Sequence, residues 1–259
     1  MTVFLYLSFP FQIIAQHEPD AIYWGFRFGP SYRWFDQESL IGMIVPTYNH
    51  GSCTFSEQKT PGLTFGLDFN FRKDGNPFGV ELELSYSLQS LGSDIKKGYD
   101  LQVTFLNSTV PSNSYFTFNY EYFNMAPVFK IFPIIDKRPN KVMVNNGFQI
   151  LLGAQLSLAA SDKINFWCDT CDPNFILLTR DAYRRSLKGL NYFSFIGGLG
   201  WEGIPLFNED AYLSAEARYY WGLGDSIETQ ANSLGSIENR NRQHYAELTL
   251  IMSFLFYKR

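Results

Sequence analysis

Tyr23-Trp24-Gly25-Phe26-Arg27-Phe28-Gly29-Pro30-Ser31-Tyr32-Arg33-Trp34-Phe35 alternates without a break. Trp24, Phe26, Phe28, Pro30, Tyr32 and Trp34 fall on one side, and Gly25, Arg27, Gly29, Ser31 and Arg33 on the other. A period of two belongs to an extended strand, whose successive side chains point to opposite faces; an amphipathic helix repeats its apolar residues every three or four positions. Residues 62–72 repeat the pattern with Leu63, Phe65, Leu67, Phe69 and Phe71 against Asp68, Asn70 and Arg72. Residues 78–89 set Val80, Leu82, Leu84, Tyr86 and Leu88 against Glu81, Glu83, Ser85 and Ser87.

Five more runs lie downstream. Phe116, Phe118, Tyr120 and Tyr122 share an apolar face, after which the phase shifts to Phe123, Met125, Pro127, Phe129 and Ile131; one inserted residue near Tyr122 predicts a β-bulge. Residues 147–158 oppose Phe148, Ile150, Leu152, Ala154, Leu156 and Leu158 to Gln149, Gly153, Gln155 and Ser157, with Leu151 out of pattern. Residues 192–204, 211–223 and 247–256 complete eight strands, and no helical stretch matches them in quality.

The polar face is rich in glycine, including Gly25, Gly29, Gly66, Gly79, Gly198, Gly200 and Gly222. A crowded narrow lumen needs such residues; a solvated surface does not. Trp24 and Trp34 are ten residues apart on the apolar face. At about 3.3 Å per residue and a tilt near 40° this spans roughly 25 Å, the height of a lipid-facing band between aromatic girdles. The expected fold is all-β, an eight-stranded antiparallel up-and-down transmembrane β-barrel with its polar face inside. A soluble lipocalin-like carrier, aromatic face inward, is the alternative.

Composition agrees. Aromatic residues make 18% of the chain and charged residues only 18%, so rings stand where a soluble domain would carry charge. Mean hydropathy is −0.14. No apolar run is long enough for a membrane-crossing helix. A net charge of −4 gives no electrostatic footprint for nucleic acid. Links alternate long (36–61, 90–115, 162–190, 224–243) with shorter (73–77, 133–146, 205–210). In bacterial outer-membrane barrels long loops are extracellular and short turns periplasmic, which would put both termini in the periplasm. Residues 3–15, ending in Ala15, fit the apolar core of a signal peptide. The expected organisation is a signal peptide over 1–15 and one barrel domain over 16–259.

The chain resembles the PorT-like outer-membrane β-barrel proteins of Bacteroidota. The resemblance rests on Trp24-Gly25-Phe26-Arg27-Phe28-Gly29, Phe123-Asn124-Met125-Ala126-Pro127-Val128-Phe129-Lys130, Gly197-Gly198-Leu199-Gly200, Ala217-Arg218-Tyr219-Tyr220-Trp221-Gly222-Leu223 and Ser253-Phe254-Leu255-Phe256. It implies the cell outer membrane as location, outer-membrane lipid as surroundings, and a protein partner there; some relatives serve secretion or gliding. A structural or interaction role at the envelope, such as an accessory subunit of a secretion or other outer-membrane complex, is the expected function.

The inward positions carry acids Asp68, Glu81, Glu83, Glu121, Glu202, Glu216 and Glu247 and bases Arg27, Arg33, Arg72, Lys130 and Arg218. Unpaired charges in a confined lumen are costly, so these should pair into a network that plugs the barrel. A proton or ion path along Glu81, Glu83 and Glu121 is the functional alternative. Trp167-Cys168-Asp169-Thr170-Cys171-Asp172 suits a disulfide in an exported chain, local at Cys168 and Cys171 or loop to loop with Cys53; a thioredoxin-type site would need a strand-to-helix context, which the pattern does not show. The histidines are His17, His50 and His244. A lipid A-modifying or protease-like enzyme using His50 or His244 at the rim is the rival function, but no triad spacing supports it, and the expectation is no enzyme, no cofactor and no metal.

Overall fold

A computed structural model describes residues 21–35, 62–72, 76–94, 99–103, 106–110, 115–133, 147–206, 211–229 and 242–258. The expected signal peptide, His17, His50 and Cys53 lie outside the described residues.

In chain order the elements are β1 (Ala21–Phe35), β2 (Gly62–Arg72), β3 (Phe78–Asp94), β4 (Tyr99–Val103), β5 (Leu106–Val110), β6 (Tyr115–Ile131), β7 (Phe148–Trp167), α1 (Pro173–Ser186), β8 (Leu187–Gly189), β9 (Tyr192–Leu206), β10 (Ala211–Asp225), β11 (Ile227–Thr229) and β12 (Arg242–Lys258). Eight of them close a barrel in the order β1-β12-β10-β9-β7-β6-β3-β2, with antiparallel pairing all the way round the ring. The seam is β1 on β12, with Ala21 opposite Lys258. The first and last barrel strands therefore share a rim with the links β2–β3 and β9–β10. β4 pairs with β5, and β8 with β11, beyond the opposite rim.

The alternation read from the sequence decides which residues face inward. Along β1, Arg27 is 1% exposed while its neighbours Phe26 and Phe28 are 49% and 54% exposed. Charged groups are buried and large apolar ones are bare, the reverse of a soluble barrel. Leu248 is 64% exposed on β12 and Trp201 53% on β9, beside buried Glu247 and Glu202. Such a wall is stable against hydrocarbon, and closing the ring leaves no strand edge unpaired within it. The fold is an eight-stranded transmembrane β-barrel.

Three expectations change. The first concerns β6, which alternates in one phase from Thr117 to Phe132 and stays in register with β3 over its whole length. The irregularity lies across from it: Glu121 pairs with Ser161 and Tyr122 with Ala159, so the extra residue is Ala160 of β7. Phe118, Tyr120 and Tyr122 consequently face inward with Asn124 and Lys130, each of the three rings at most 1% exposed. Here the outward positions turn polar, at Thr117, Asn119 and Glu121, and rings fill the mouth of the lumen. Second, Glu121 falls on the outside, where it accepts a hydrogen bond from Tyr86 Oη. Third, the segment after residue 162 is not a plain loop. β7 runs on to Trp167 and is followed by α1, started by a cap in which Asn174 N donates to Asp172 Oδ1 at 2.8 Å and by Pro173 in the first turn.

Candidate functional site

The lumen is built in layers, from the rim holding the short links upward. Tyr23 and Tyr212 meet edge to face at 5.1 Å, and Arg72 lies over the Phe132 ring at 4.1 Å. Arg72 Nη1 also donates to Glu202 Oε2 at 3.2 Å.

Above this stands the charged layer. Arg27 of β1 bonds Glu83, donates to Asp68 at 3.2 Å from Nη1, and reaches Glu247 at 3.0 Å from Nη2. Arg218 of β10 donates to Glu83 and Glu81, both at 2.6 Å, and through Nε to Glu216 at 2.8 Å. Lys130 of β6 bridges Glu81 at 2.5 Å and Glu216 at 3.1 Å. Arg27, Lys130, Glu81 and Glu83 are each 1% exposed. Three cations from β1, β6 and β10 thus tie together five carboxylates from β2, β3, β10 and β12. Buried ion pairs of this kind hold only where each charge keeps several partners, since desolvation otherwise exceeds the Coulomb gain. Glycine makes room for the long arms. A Cβ on Gly198 would lie 2.7 Å from Ala217 O and 3.2 Å from Arg218 Cγ, so any side chain there would push on the arginine.

Higher still, Asn124, Gln155 and Ser157 bond one another, and Gln155 Nε2 donates to Tyr245 Oη at 2.7 Å. Ala126, Val128, Leu151, Ile196, Tyr220 and Tyr245 pack beside them, which explains why Leu151 breaks the polar pattern of its run. Tyr220 and Tyr245 stack at 3.9 Å. At the mouth, Phe118, Tyr120, Tyr122 and Tyr192 form a continuous series of ring contacts, and Tyr122 Oη donates to Ser226 O at 2.7 Å. Arg33 is the cation of this upper layer.

Eleven of the twelve residues assigned to the interior by sequence are buried in the lumen, and Glu121 is not. With Glu121 on the outer wall, the suggested path through Glu81, Glu83 and Glu121 is not continuous. His244 does not reach the lumen either: it belongs to the outward face of β12, where its ring stacks on Tyr219 at 6.3 Å and meets Trp221 at 6.0 Å. Asp68, Glu81 and Glu83 offer carboxylate oxygens close enough together for a metal ion, but Arg27 already sits among them, bonded to Asp68 and Glu83 and 3.9 Å from Glu81. A guanidinium there does the neutralising that an ion would do.

Cys168 and Cys171 are joined in a disulfide. The bond lies between the end of β7 and the cap of α1, so the strand-to-helix context that the sequence pattern did not show is present. The signal that could have revealed the helix is Asp172-Pro173, a cap residue followed by proline in the first turn.

Comparison with protein-family models and with curated protein sequences returns no match. Among solved structures the chain is similar to OprG of Pseudomonas aeruginosa, an outer-membrane protein, at 14% identity and TM-score 0.38, over 93% of this chain and 99% of that one. It is similar to the attachment invasion locus protein Ail of Yersinia pestis at 13% identity and TM-score 0.36, over 90% and 99%. Neisserial surface protein A gives 12% and 0.37, over 90% and 96%.

Proposed function

We propose that the chain is an outer-membrane β-barrel that does its work with its wall and its long-link end, as a structural or interaction component of the cell envelope and not as a pore or an enzyme. The observation that supports this is the charged layer, which draws on six of the eight strands of the ring with side chains that water barely touches. A solute would have to break several buried ion pairs to pass. The apolar wall and the structures beyond the mouth, β4–β5, β8–β11 and α1, remain for contact with other molecules. The PorT-like resemblance suggests an accessory role in a secretion or other outer-membrane complex, with a protein partner in the same membrane. In that setting both termini and the β2–β3 and β9–β10 links face the periplasm.

Two measurements test the reading. Reconstituted into planar bilayers, the barrel should give no lasting conductance steps; stable porin-like openings would overturn the plugged lumen. In mild detergent the native protein should run on size exclusion as part of a complex larger than the detergent-bound monomer, and a C-terminal tag should resist surface labelling of intact cells. A monomer with a surface-labelled terminus would refute both the partner and the orientation.

A further inference from the structure

The described charged groups of the lumen divide unevenly. In the lower layers Arg27, Arg72, Lys130 and Arg218 each contact one or more carboxylates. Arg33 contacts none. Its Nη1 donates to Tyr192 Oη at 3.1 Å and its guanidinium carbon lies 3.8 Å above the Tyr245 ring. Its Nε and Nη2 are buried and carry no hydrogen bond, and the residue is 7% exposed. Leaving a buried guanidinium without a counter-charge costs several kcal/mol, more than one phenol and one ring face return.

The geometry of the two unpartnered donors is specific. Nε–H and the neighbouring Nη2–H lie side by side and parallel, forming one complete two-pronged edge of the guanidinium. That edge matches the two oxygens of a carboxylate or of a phosphate, and such a fork is the strongest hydrogen-bonding arrangement arginine makes. The opposite side is held by Tyr192 and the flat face by Tyr245, so the fork is presented in a fixed direction. Ser31 lies one pleat below on the same inward face of β1; it is 2% exposed and its Oγ carries no hydrogen bond. Tyr120, bonded to Gln243, completes the surroundings with neutral polar groups. Arg33 lies two residues from the end of β1, on the long-link side, and the described pairing of β1 with β2 runs as far as Ser31 opposite Gly62.

We propose that Arg33, with Ser31 beside it, is an oxyanion-binding site at the mouth of the lumen, taking the carboxylate or phosphate group of a small ligand that enters from the long-link end. The site goes beyond the interaction role proposed above and does not require that role to be correct: it needs only the barrel. The aromatic lining of Tyr120, Tyr192 and Tyr245 suits a ligand with a flat or apolar body behind its acid group.

The test uses the full chain in detergent micelles and reads the thermal midpoint of the folded form by heat-modifiable gel mobility. Inorganic phosphate and acetate are titrated separately against chloride at equal ionic strength, on the native protein and on Arg33→Gln and Arg33→Lys. A native protein with phosphate at about five times its dissociation constant should gain about 2–4 °C over Arg33→Gln at the same concentration. Arg33→Lys keeps the charge but loses the fork, and should need at least about tenfold more anion for the same shift. A native protein that responds to neither anion overturns the site, and that is the outcome if a carboxylate of the chain itself already occupies the fork. Equal responses in the native and Arg33→Gln proteins also overturn it, because the effect would then be general salt stabilisation. The native titration is decisive even if a variant fails to fold.

Discussion

Replacing Arg218 by Met probes the charged layer at its most connected point. The native guanidinium contacts Glu81, Glu83 and Glu216, each on hydrogen bonds of 2.6–2.8 Å. Without it Glu81 keeps Lys130, Glu83 keeps Arg27, and Glu216 keeps Lys130 and the amide of Gln149 at 3.1 Å. Two cations would then serve five carboxylates in a lumen closed to water. Removing one partner from a buried ion pair costs about 3–5 kcal/mol, a large share of the 5–15 kcal/mol that a domain of this kind has in hand. Urea unfolding in detergent, followed by tryptophan emission and by heat-modifiable mobility, should show a loss in that range. Adding Glu83→Gln to Arg218→Met restores the native charge balance of the layer, leaves Lys130 between Glu81 and Glu216 and Arg27 with Asp68 and Glu247, and should recover at least about 1–2 kcal/mol of the loss, the size expected for coupled buried groups. A loss below about 1 kcal/mol for Arg218→Met alone is what exposed pairs give, and would mean that water reaches the layer.

Further outcomes follow from other parts of the molecule. Leu248→Arg, on the lipid-facing wall, should destabilise the barrel by about 2–4 kcal/mol in a bilayer, read by urea titration in liposomes, while Leu248→Ala should cost much less. Gly198→Ala should cost about 1–3 kcal/mol in the same assay, because its Cβ would meet Ala217 O and the Arg218 arm. Thiol titration in denaturant should find one free cysteine before reduction and three after it, since Cys168 and Cys171 are bonded and only Cys53 remains; three thiols before reduction would deny the bond.

The ring of eight strands was legible because alternation survives wherever one face meets hydrocarbon and the other a polar lumen, as in β1, β2, β3, β9, β10 and β12. It misled where that contrast ends. Around Thr117–Tyr122 the outer face is polar, with Thr117, Asn119 and Glu121 outside while Phe118, Tyr120 and Tyr122 fill the mouth; a polar–aromatic alternation reads the same in either direction. Reading the rings as outward forced a phase change in β6, and the change belongs to Ala160 of β7, a small residue with no sequence signal for a bulge. α1 escaped because Phe175, Ile176, Leu177 and Leu178 are consecutive, which gives no helical period, and only its cap announces it. The members of the charged layer could be named from strand phase alone, but not their partners, because pairing across the lumen depends on strand order and stagger. The isolation of Arg33 depends on the same geometry and was not visible in the sequence.

The most direct test of the inside-out barrel is the environment of one outward tryptophan. With Trp24, Trp34, Trp167 and Trp221 replaced by Phe, Trp201 of β9 is left as the sole emitter, 53% exposed on the wall beside buried Glu202. Reconstituted into vesicles with brominated acyl chains, Trp201 should be strongly quenched by the lipid and hardly at all by aqueous iodide. Quenching by iodide with no effect of brominated lipid would place that face in water and contradict a membrane-spanning barrel.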